Sequence, residues 1–317
     1  MGDLLVLSRD DVAQCLDPVA LREYLAQAFI AFSNGDASVP ARVAAESSAG
    51  LLIAMPGFVD GVGFGLKAVT VFAGNEGTAM PSHQGVIALF DPDNGSPVAV
   101  MDASLITEVR TSVSAAMAVD LAARADAATL AIIGAGALGN EHAHVLQGVR
   151  KWTEVRIASR NGARAEALAA KYPNARAVET FEDAVRGSDV VCLCTDAESP
   201  VIKHEWLAPG VHVSSVGRGA EVPAATVAAA MAKGVVIVEW RGAALNAPPA
   251  GAVDLQGHNA TGMVELGEVL AGRAAARSDA TSITVYKSTG HAIEDLAAAR
   301  LVLESATKKN LGTRVQF

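Results

Sequence analysis

The chain is long enough for two domains, and its charge narrows the possible partners. It has 317 residues, of which 34 are acidic and 25 basic, with a net charge of −9, so we expect two domains with buried cores. The acidic balance argues against nucleic acid and against an anionic membrane as partner. No apolar run approaches the roughly 18 residues of a membrane span, and the first residues lack the basic flank of a signal peptide. We therefore expect a cytoplasmic protein that binds a small molecule.

The first third of the chain predicts helices followed by an antiparallel sheet. Apolar residues at helical spacing over 10–34, interrupted by Asp17 and Pro18, predict two short helices. From 38 to 100, short β-like runs alternate with turn signals, and the DPDNG loop at 91–95 has the composition of a hairpin turn. Residues 103–125 then predict a long helix that leads into a second domain.

The stretch TLAIIGAGALG at 129–139 is typical of a dinucleotide-binding loop. An apolar run predicts a buried parallel strand, and Gly134, Gly136 and Gly139 follow it with G-x-G-x-x-G spacing. These glycines allow a tight turn, close approach of backbone to a pyrophosphate, and close packing of the next helix. The same spacing also arises by chance in a chain rich in alanine and glycine. A second strand predicted at 153–158 completes a βαβ unit and favours the dinucleotide interpretation.

Strand and helix patterns alternate beyond the glycine motif, which predicts a Rossmann-type doubly wound parallel sheet. The predicted elements are strands at 153–158, 176–179, 189–194, 211–216 and 235–238, helices at 162–171, 181–187 and 222–233, and then a helix near 263–271, a strand at 282–288 and a helix at 290–306. The fold class is therefore α/β, with a smaller α+β domain beside the parallel sheet. We assign 119–290 to the dinucleotide-binding domain and 1–118 with 291–317 to the smaller domain.

The residues after the second predicted strand favour NADP(H) over NAD(H). NAD-specific sites usually have an acid there, but this chain has Ser159, Arg160 and Asn161. A carboxylate would repel a 2′-phosphate, whereas an arginine and a hydroxyl would bind one. The alternative is that Arg160 is a solvated surface residue, in which case NAD(H) remains possible.

The cysteines and histidines indicate neither a disulfide framework nor a metal site. Cys192 and Cys194 lie two apart in an apolar strand, so they point to one face of it and are interpreted as small buried hydrophobes. The seven histidines show no zinc-like clustering with the three cysteines. We expect no metal.

Three cations of the first domain stand in apolar surroundings. Lys67 lies in the middle of an apolar strand, Arg110 lies in the long helix, and Arg42 begins a β-like run. Burial of an unpaired charge is costly, so each cation needs a partner. One interpretation is structural ion pairing with acids of the same domain, namely Glu46, Glu76 or Glu108. The other is a carboxylate-binding site, in which Arg110 clamps a substrate with two hydrogen bonds.

Several segments resemble the ornithine cyclodeaminase and mu-crystallin family. These segments lie at 80–112, 134–139, 198–217 and 285–305, within a similarity that extends from about residue 42 to residue 305. Three motifs are most similar to the mu-crystallin branch, which is a NADPH-dependent ketimine reductase: PSHQ at 81–84, EVRIASR at 154–160 and KSTGHAIED at 287–295.

This resemblance implies an NAD(P)H-dependent imine reductase or amino-acid dehydrogenase. In the family pattern, residues matching Arg42, Lys67 and Arg110 bind the substrate carboxylate, and Lys67 and Arg110 are the catalytic candidates. Lys67 is also the candidate for orienting or protonating the imine nitrogen. His83 and Arg218 are further substrate-binding candidates, although Arg218 is either a surface turn residue or a partner of a second acidic group. The smaller domain then binds substrate and joins two chains in a homodimer.

The residues expected to contact the cofactor come from the glycine loop, the ribose position and four further stretches. They are Gly134, Ala135, Gly136, Ala137, Leu138, Gly139, Ser159, Arg160, Asn161, Thr195, Val216, Gly217, Thr111 and Ser288.

Two departures argue against ornithine cyclisation. Cyclodeaminases carry a Glu where this chain has Ile53 and an Asp where it has Gly219. Those carboxylates handle amino groups and proton transfer, so their absence removes the acid and base of that reaction. Ornithine cyclodeaminase remains an alternative, and a non-catalytic NADPH-binding or small-molecule-binding protein of mu-crystallin type is another. The intact set of three cations favours the reductase.

Overall fold

The computed structural model describes residues 3–75 and 78–316, and the chain divides into two compact units. Unit 1 contains Met1–Arg110 and His291–Phe317, and unit 2 contains Thr111–Gly290. The first boundary therefore falls inside the long helix after residue 110, rather than after residue 118 as the sequence suggested. Within the described ranges, no helix is both long and apolar enough to cross a membrane.

The elements follow the predicted order, with extra strands near both ends of the chain. The strands are β1 (Asp3–Leu7), β2 (Ala37–Ser38), β3 (Val43–Glu46), β4 (Leu51–Val59), β5 (Gly63–Val71), β6 (His83–Phe90), β7 (Pro97–Asp102), β8 (Thr129–Ile133), β9 (Glu154–Ala158), β10 (Ala175–Ala177), β11 (Val190–Leu193), β12 (His212–Ser215), β13 (Val235–Val238), β14 (Val264–Glu265), β15 (Thr284–Lys287) and β16 (Thr313–Gln316). The helices are α1 (Arg9–Cys15), α2 (Pro18–Asn34), α3 (Ala103–Ala122), α4 (Ala137–Gln147), α5 (Gly162–Ala169), α6 (Phe181–Val185), α7 (Ala224–Lys233), α8 (Gly242–Leu245), α9 (Leu266–Leu270) and α10 (Ala292–Lys309).

Unit 1 is built on a mixed sheet. Its strand order is β16-β1-β7-β6-β5-β4-β2, and β3 also pairs with β4. The antiparallel arrangement predicted for the runs that became β3 to β7 is confirmed. Strand β1, which lies outside the predicted antiparallel region, pairs with β7 in parallel and makes the sheet mixed. The sequence analysis did not predict β1, β2 and β16, since strands of five, two and four residues are too short to show a clear alternating pattern.

Helix α10 covers one face of this sheet, where it packs on α2 and on β4, β5 and β6. Its first turn is fixed by Glu294, whose carboxylate accepts a hydrogen bond from the backbone N–H of His291 at 2.7 Å. Two glycines allow close approach, since a Cβ at Gly65 would lie 3.0 Å from Leu296 and one at Gly57 would lie 3.5 Å from Ala292. The first turn of α10 therefore lies over the centre of the sheet.

The opposite face of the unit 1 sheet is apolar and exposed. Phe58 pairs with Phe64 across β4 and β5, and Phe64 pairs with Phe90 across β5 and β6. Phe64 is 49% exposed, Leu52 is 45% exposed and Val86 is 47% exposed. We call these five residues the apolar sheet face.

Unit 2 is a doubly wound parallel sheet, as predicted. Its strand order is β10-β9-β8-β11-β12-β15-β13-β14, with every pair parallel. Leu130 and Ile132 of β8 pack in one core with α3, α4 and α5, whereas Ala131 and Ile133 pack in a second core with α6 and α7. Helices therefore cover both faces of this sheet.

The cysteine within β11 and the one directly after it are buried, as the sequence predicted. Cys192 and Cys194 lie in the same core as Leu130, with no more than 7% of either residue exposed. Burial raises the pKa of the Cys192 thiol to about 12, so this side chain is a neutral apolar filler rather than a nucleophile.

Candidate active site

The glycine loop begins directly after β8 and leaves room for a phosphate group. Gly134 has a φ of +107°, and a side chain there would overlap the carbonyl oxygen of Cys194, so the position requires glycine. A side chain at Gly139 would overlap the carbonyl oxygen of Gly134. The Cβ position of Gly136 is in open space, and α4 begins at Ala137. The loop thus combines a tight turn, close helix packing and accessible helix N–H groups, which is the arrangement that binds a pyrophosphate.

The turn after β9 is held by two of its three polar residues. The Asn161 side chain accepts a hydrogen bond from the backbone N–H of Arg164 at 3.2 Å and so caps α5. The Asn161 N–H donates to the Ser159 hydroxyl at 3.3 Å. Arg160 is exposed, and within the described part of the chain it forms no hydrogen bond or ion pair. Its guanidinium is therefore available to an anion at the ribose position.

Two more loops end at the same edge of the unit 2 sheet and are joined by one buried acid. Thr195 follows β11 and Gly217 follows β12, and these strands are neighbours beside β8. Glu221 is 0% exposed, and its Oε1 accepts hydrogen bonds from the Thr195 N–H at 2.9 Å and from the Thr195 hydroxyl. Its Oε2 accepts from the Gly217 N–H and from the Ser215 hydroxyl, both at 2.8 Å. Glu221 therefore fixes both loops together.

A buried lysine completes this edge. Lys287 at the end of β15 is 1% exposed, and its ammonium donates to the Ser215 hydroxyl at 3.0 Å and to the Gly217 carbonyl at 2.8 Å. It also forms an ion pair with Asp254 at 3.1 Å. Sequence reasoning missed Lys287 and Glu221. Lys287 carries the signal that singled out Lys67, a lysine inside an apolar strand, and the same criterion would have found it.

The remaining predicted cofactor residues have varied surroundings. Val216 is partly buried, and its N–H donates to the carbonyl of Leu193 at 3.1 Å. The Ser288 hydroxyl is buried and donates to Glu239 at 2.6 Å. Thr111 is buried in α3. The hydroxyls of Thr195 and Ser288 therefore donate to acids of their own unit.

In unit 1, two of the three predicted cations meet acids of α10. The Lys67 ammonium lies 3.0 Å from Asp295 Oδ1, and Arg110 Nε lies 3.1 Å from the same oxygen. Arg110 Nη1 lies 3.1 Å from Glu294 Oε2. Each of these four residues is at most 4% exposed. We call Lys67, Arg110, Glu294 and Asp295 the cation cluster.

Lys67 and Arg110 pair with acids that the sequence did not suggest. These acids are Glu294 and Asp295, while Glu76 lies outside the described residues. Glu108 pairs with Arg9 at 3.4 Å. The two acids were missed because the start of the last helix reads as an ordinary acidic first turn.

Burial and charge oppose each other within the cation cluster. Burial lowers the pKa of Lys67 to about 8, with Asp295 raising it and Arg110 lowering it. Burial alone would raise the pKa of Asp295, but the charges of Lys67 and Arg110 hold it below its usual range. The charge of Arg42, which is partly buried, also lowers the pKa of both groups. The structure therefore brings all three predicted cations within electrostatic range of Asp295.

The cluster retains hydrogen-bonding capacity. An ammonium has three N–H donors, and among the described residues Lys67 makes one hydrogen bond, to Asp295. The second carboxylate oxygen of Asp295 is buried, and no described atom donates to it. Buried polar groups are nearly always satisfied, so such atoms call for an explanation. A bound polar ligand provides one.

Two substrate-binding candidates lie at the surface. His83 is exposed at the start of β6, where its Nδ1 lies 3.1 Å from the Ser82 hydroxyl. Arg218 is exposed and lies 3.5 Å from both carboxylate oxygens of Asp196. Arg218 thus has the surroundings of a surface turn residue, and neither side chain shares the burial of the cation cluster.

The two positions at which the sequence resemblance places cyclodeaminase acids carry an isoleucine and a glycine here. Ile53 is 5% exposed within β4. A side chain at Gly219 would overlap the carbonyl oxygen of Ala197, so this loop excludes an Asp at that position as it stands. Across residues 3–75 and 78–316, no group of three or more His, Cys, Asp or Glu side chains could hold a metal ion.

A parallel doubly wound sheet with this glycine loop defines a dinucleotide-binding protein, and comparison with known proteins gives its family. Residues 3–310 match the model of the ornithine cyclodeaminase/mu-crystallin family, and the chain belongs to this family. It is 38% identical over 240 residues to the ketimine reductase mu-crystallin of Mus musculus, with 75% of each chain covered.

Solved structures agree over the whole chain. The Δ1-pyrroline-2-carboxylate reductase of Thermococcus litoralis, in complex with NADH and L-proline, superposes with a TM-score of 0.90 at 28% identity, covering 98% of this chain and 100% of that one. An archaeal alanine dehydrogenase dimer with bound NAD gives a TM-score of 0.89 at 27% identity, with both chains fully covered.

Proposed function

We propose that this protein is an NAD(P)H-dependent reductase of α-imino carboxylates, which it converts to α-amino carboxylates. The observation that carries this proposal is the cation cluster, where a buried lysine has N–H donors beyond its bond to Asp295. Buried cations of this kind bind carboxylates with short, charge-assisted hydrogen bonds. The related proteins support the same chemistry, since one is a ketimine reductase and another was solved with NADH and L-proline.

The residues of unit 2 fit a nicotinamide dinucleotide. Gly134 and Gly139 form the tight loop, and the open Cβ position of Gly136 leaves room for a pyrophosphate at the start of α4. The exposed Arg160 and the absence of an acid at the end of β9 favour a 2′-phosphate, so we expect NADPH to bind more tightly than NADH. The dinucleotide supplies the hydride when it is bound.

In this proposal the cations of unit 1 hold the substrate and supply the proton. Arg110, together with Arg42, binds the carboxylate, while the Lys67 ammonium donates a hydrogen bond to the imine nitrogen. Asp295 orients both cations through the single oxygen that accepts from each of them. Hydride adds to the imine carbon and the proton reaches the nitrogen, which gives the amine.

We also infer a homodimer formed through the apolar sheet face of unit 1. Phe58, Phe64 and Phe90 form a row across three strands, and exposed apolar surface of this kind commonly marks a protein interface. Phe64→Glu would place a charge at the centre of the row. Light scattering should show a dimer for the unsubstituted chain and a monomer for the variant, whereas a monomeric unsubstituted chain would contradict the inference.

A substrate panel tests the activity. Cyclic and linear α-imino acids are offered with NADPH and with NADH, and loss of the reduced cofactor is followed by absorbance. We expect turnover with at least one imino acid, faster at low cofactor concentration with NADPH. If the protein binds NADPH but consumes none with any imino acid, the reductase proposal is wrong and a binding role is favoured.

A further inference from the structure

The loops that follow β11 and β12 owe their positions to Glu221. This acid is 0% exposed and accepts four hydrogen bonds from three residues, with both oxygens used. Two of the donors are backbone N–H groups, those of Thr195 and Gly217. Because Thr195 and Gly217 lie on separate loops, one side chain sets the distance between those loops.

These loops are in contact with the glycine loop. A Cβ added at Gly134 would overlap the Cys194 carbonyl and lie 3.3 Å from the Thr195 side chain. A Cβ added at Gly217 would overlap Glu221 itself and lie 2.6 Å from the Thr195 carbonyl oxygen. Gly134, Thr195 and Gly217 therefore approach one another closely at the carboxyl ends of three neighbouring strands. In open α/β sheets, ligands bind at this edge.

The nicotinamide ring, which carries the hydride, must pack against a rigid protein surface at this edge of the sheet. The glycine loop and the turn at Arg160 belong to β8 and β9 and serve the pyrophosphate and the ribose next to adenine, whereas β11 and β12 lie on the other side of β8. The β11 and β12 loops are thus placed to meet the nicotinamide half. A displacement of the ring by about 1 Å is enough to lower the rate of catalysis about 100-fold.

We propose that Glu221 is a positioning residue for the nicotinamide half of the cofactor, acting through the loops at Thr195 and Gly217. This inference rests on the proposed nicotinamide cofactor. Glu221 would act without contacting the cofactor. Its carboxylate holds the two backbone N–H groups that fix the loops, and Glu221→Gln replaces one accepting oxygen with a donor that cannot serve them.

The chain offers a matched control at the opposite edge of the same sheet. Asp189 also joins two strands, because its Oδ2 accepts from the N–H groups of Ala128 at 2.8 Å and Thr129 at 3.0 Å. It lies at the start of β11 rather than after its end. Asp189→Asn therefore removes a comparable structural carboxylate but leaves the loops at Thr195 and Gly217 unchanged.

The test compares the affinities of two ligands for three proteins. NADPH and 2′-phospho-ADP-ribose, which lacks the nicotinamide ring, are titrated by calorimetry into the unsubstituted protein, Glu221→Gln and Asp189→Asn, and thermal midpoints are recorded. We expect Glu221→Gln to weaken NADPH binding about tenfold, the scale of one charge-assisted hydrogen bond, while the ring-less fragment binds within about twofold of its parent affinity. Asp189→Asn should lower the thermal midpoint and leave the ratio of the two affinities unchanged.

Two other results for Glu221→Gln would overturn the inference, and each has a different meaning. Equal losses for both ligands in Glu221→Gln would mean a general structural role, and no loss for either would mean that the loops do not need this acid. If Glu221→Gln does not fold, Glu221→Asp retains the charge on a shorter side chain and must show the same selective loss. Failure of the unsubstituted protein to bind NADPH or NADH would overturn the proposed cofactor itself.

Discussion

Among the described residues, both units hold a cluster of buried charge built around a lysine, and the two lysines differ in how many hydrogen bonds they make. In unit 2, Glu221 accepts four hydrogen bonds and Lys287 donates to three oxygens besides its ion pair with Asp254. In unit 1, Lys67 makes one hydrogen bond with the described residues, and one oxygen of Asp295 has no donor there. Each cluster holds one buried carboxylate oxygen to which no described atom donates, Asp254 Oδ1 in unit 2 and Asp295 Oδ2 in unit 1, so the two clusters differ in their lysines. A lysine whose three N–H donors are all used fixes the backbone around it, whereas one with unused donors has capacity for a ligand. We therefore assign shape to the first cluster and substrate binding to the second.

The largest effect is expected from Arg110, which contacts both acids of the cation cluster. Arg110→Met should lower kcat/KM for imine reduction on the order of 1000-fold, since two charge-assisted hydrogen bonds are lost. It should also lower the thermal midpoint, because Glu294 and Asp295 lose a buried partner. Arg110→Lys keeps the charge but not the planar fork, and should lose about 100-fold. NADPH affinity, measured by fluorescence, should stay at the parent value in both.

The matched control for Arg110→Lys is Arg124→Lys in unit 2. Arg124 also pairs with an acid, Asp189, at 2.7 Å. Arg124→Lys should retain near-parent activity. Near-parent reduction rates in Arg110→Met would show that the cation cluster is a structural ion-pair network, as the alternative interpretation of the sequence held.

The choice between NADPH and NADH is expected to depend on Arg160, a residue outside both clusters. Arg160→Ala should cost about 1–3 kcal/mol of NADPH binding, as expected for a charge-assisted contact with a phosphate. NADH affinity should hardly change. Arg164→Ala, at an exposed arginine of α5, is the matched control and should affect neither cofactor. An equal loss of NADPH and NADH in Arg160→Ala would contradict a 2′-phosphate contact.

The pH dependence of the reaction reports on Lys67. Because burial lowers its pKa to about 8, the ammonium loses its proton as pH rises through that value, and kcat/KM should fall about tenfold per pH unit above it. Lys67→Arg remains charged at such pH, so its lower activity should show no fall near pH 8. The charged neighbours that face this group are Asp295, Arg110 and Arg42. The same fall in Lys67→Arg would assign it to another group.

The linked effect on stability has the opposite sign to the effect on activity. The pKa of Lys67 lies below its ordinary value of 10.5 in the folded chain, so between about 8 and 10.5 the unfolded chain binds more protons. The contribution of Lys67 to the free energy of unfolding should therefore increase as pH rises through this window. Chemical denaturation of the parent and of Lys67→Met across this range measures that contribution.

The smallest effect is expected for ornithine. Purified protein with ornithine and NAD should release no ammonia above background, because Ile53 and Gly219 replace the acids of the cyclodeaminases. Gly219→Asp should not create the activity, and it should lower the thermal midpoint since the new side chain would overlap the Ala197 carbonyl. Gly162→Asp, where the Cβ position is open, is the control for stability. Proline formation at an enzymatic rate in the unsubstituted protein would overturn this prediction.

What could be predicted from sequence depended on how far apart the interacting residues lie. The strand, the loop and α4 around Gly134 are encoded within 129–147, so local spacing was sufficient. Lys67 and Arg110 were found because cations in apolar surroundings are rare. Their partners Glu294 and Asp295 lie 184 and 185 residues from Arg110, and no local pattern connects them. The overlap that excludes a side chain at Gly219 is with Ala197, which lies on a neighbouring loop. The sequence around Gly219 therefore does not reveal it.

Recognition of a carboxylate by the cation cluster can be measured as a ratio of two kcat/KM values. Imine reduction with NADPH is measured for Δ1-pyrroline-2-carboxylate and for Δ1-pyrroline, which lacks the carboxylate, in the unsubstituted protein and in Arg110→Met. We expect the parent kcat/KM to favour the carboxylated imine on the order of 1000-fold, as for loss of two charge-assisted hydrogen bonds, and the variant to favour it about tenfold or less. A parent ratio near one, or a ratio unchanged by Arg110→Met, would contradict the claim.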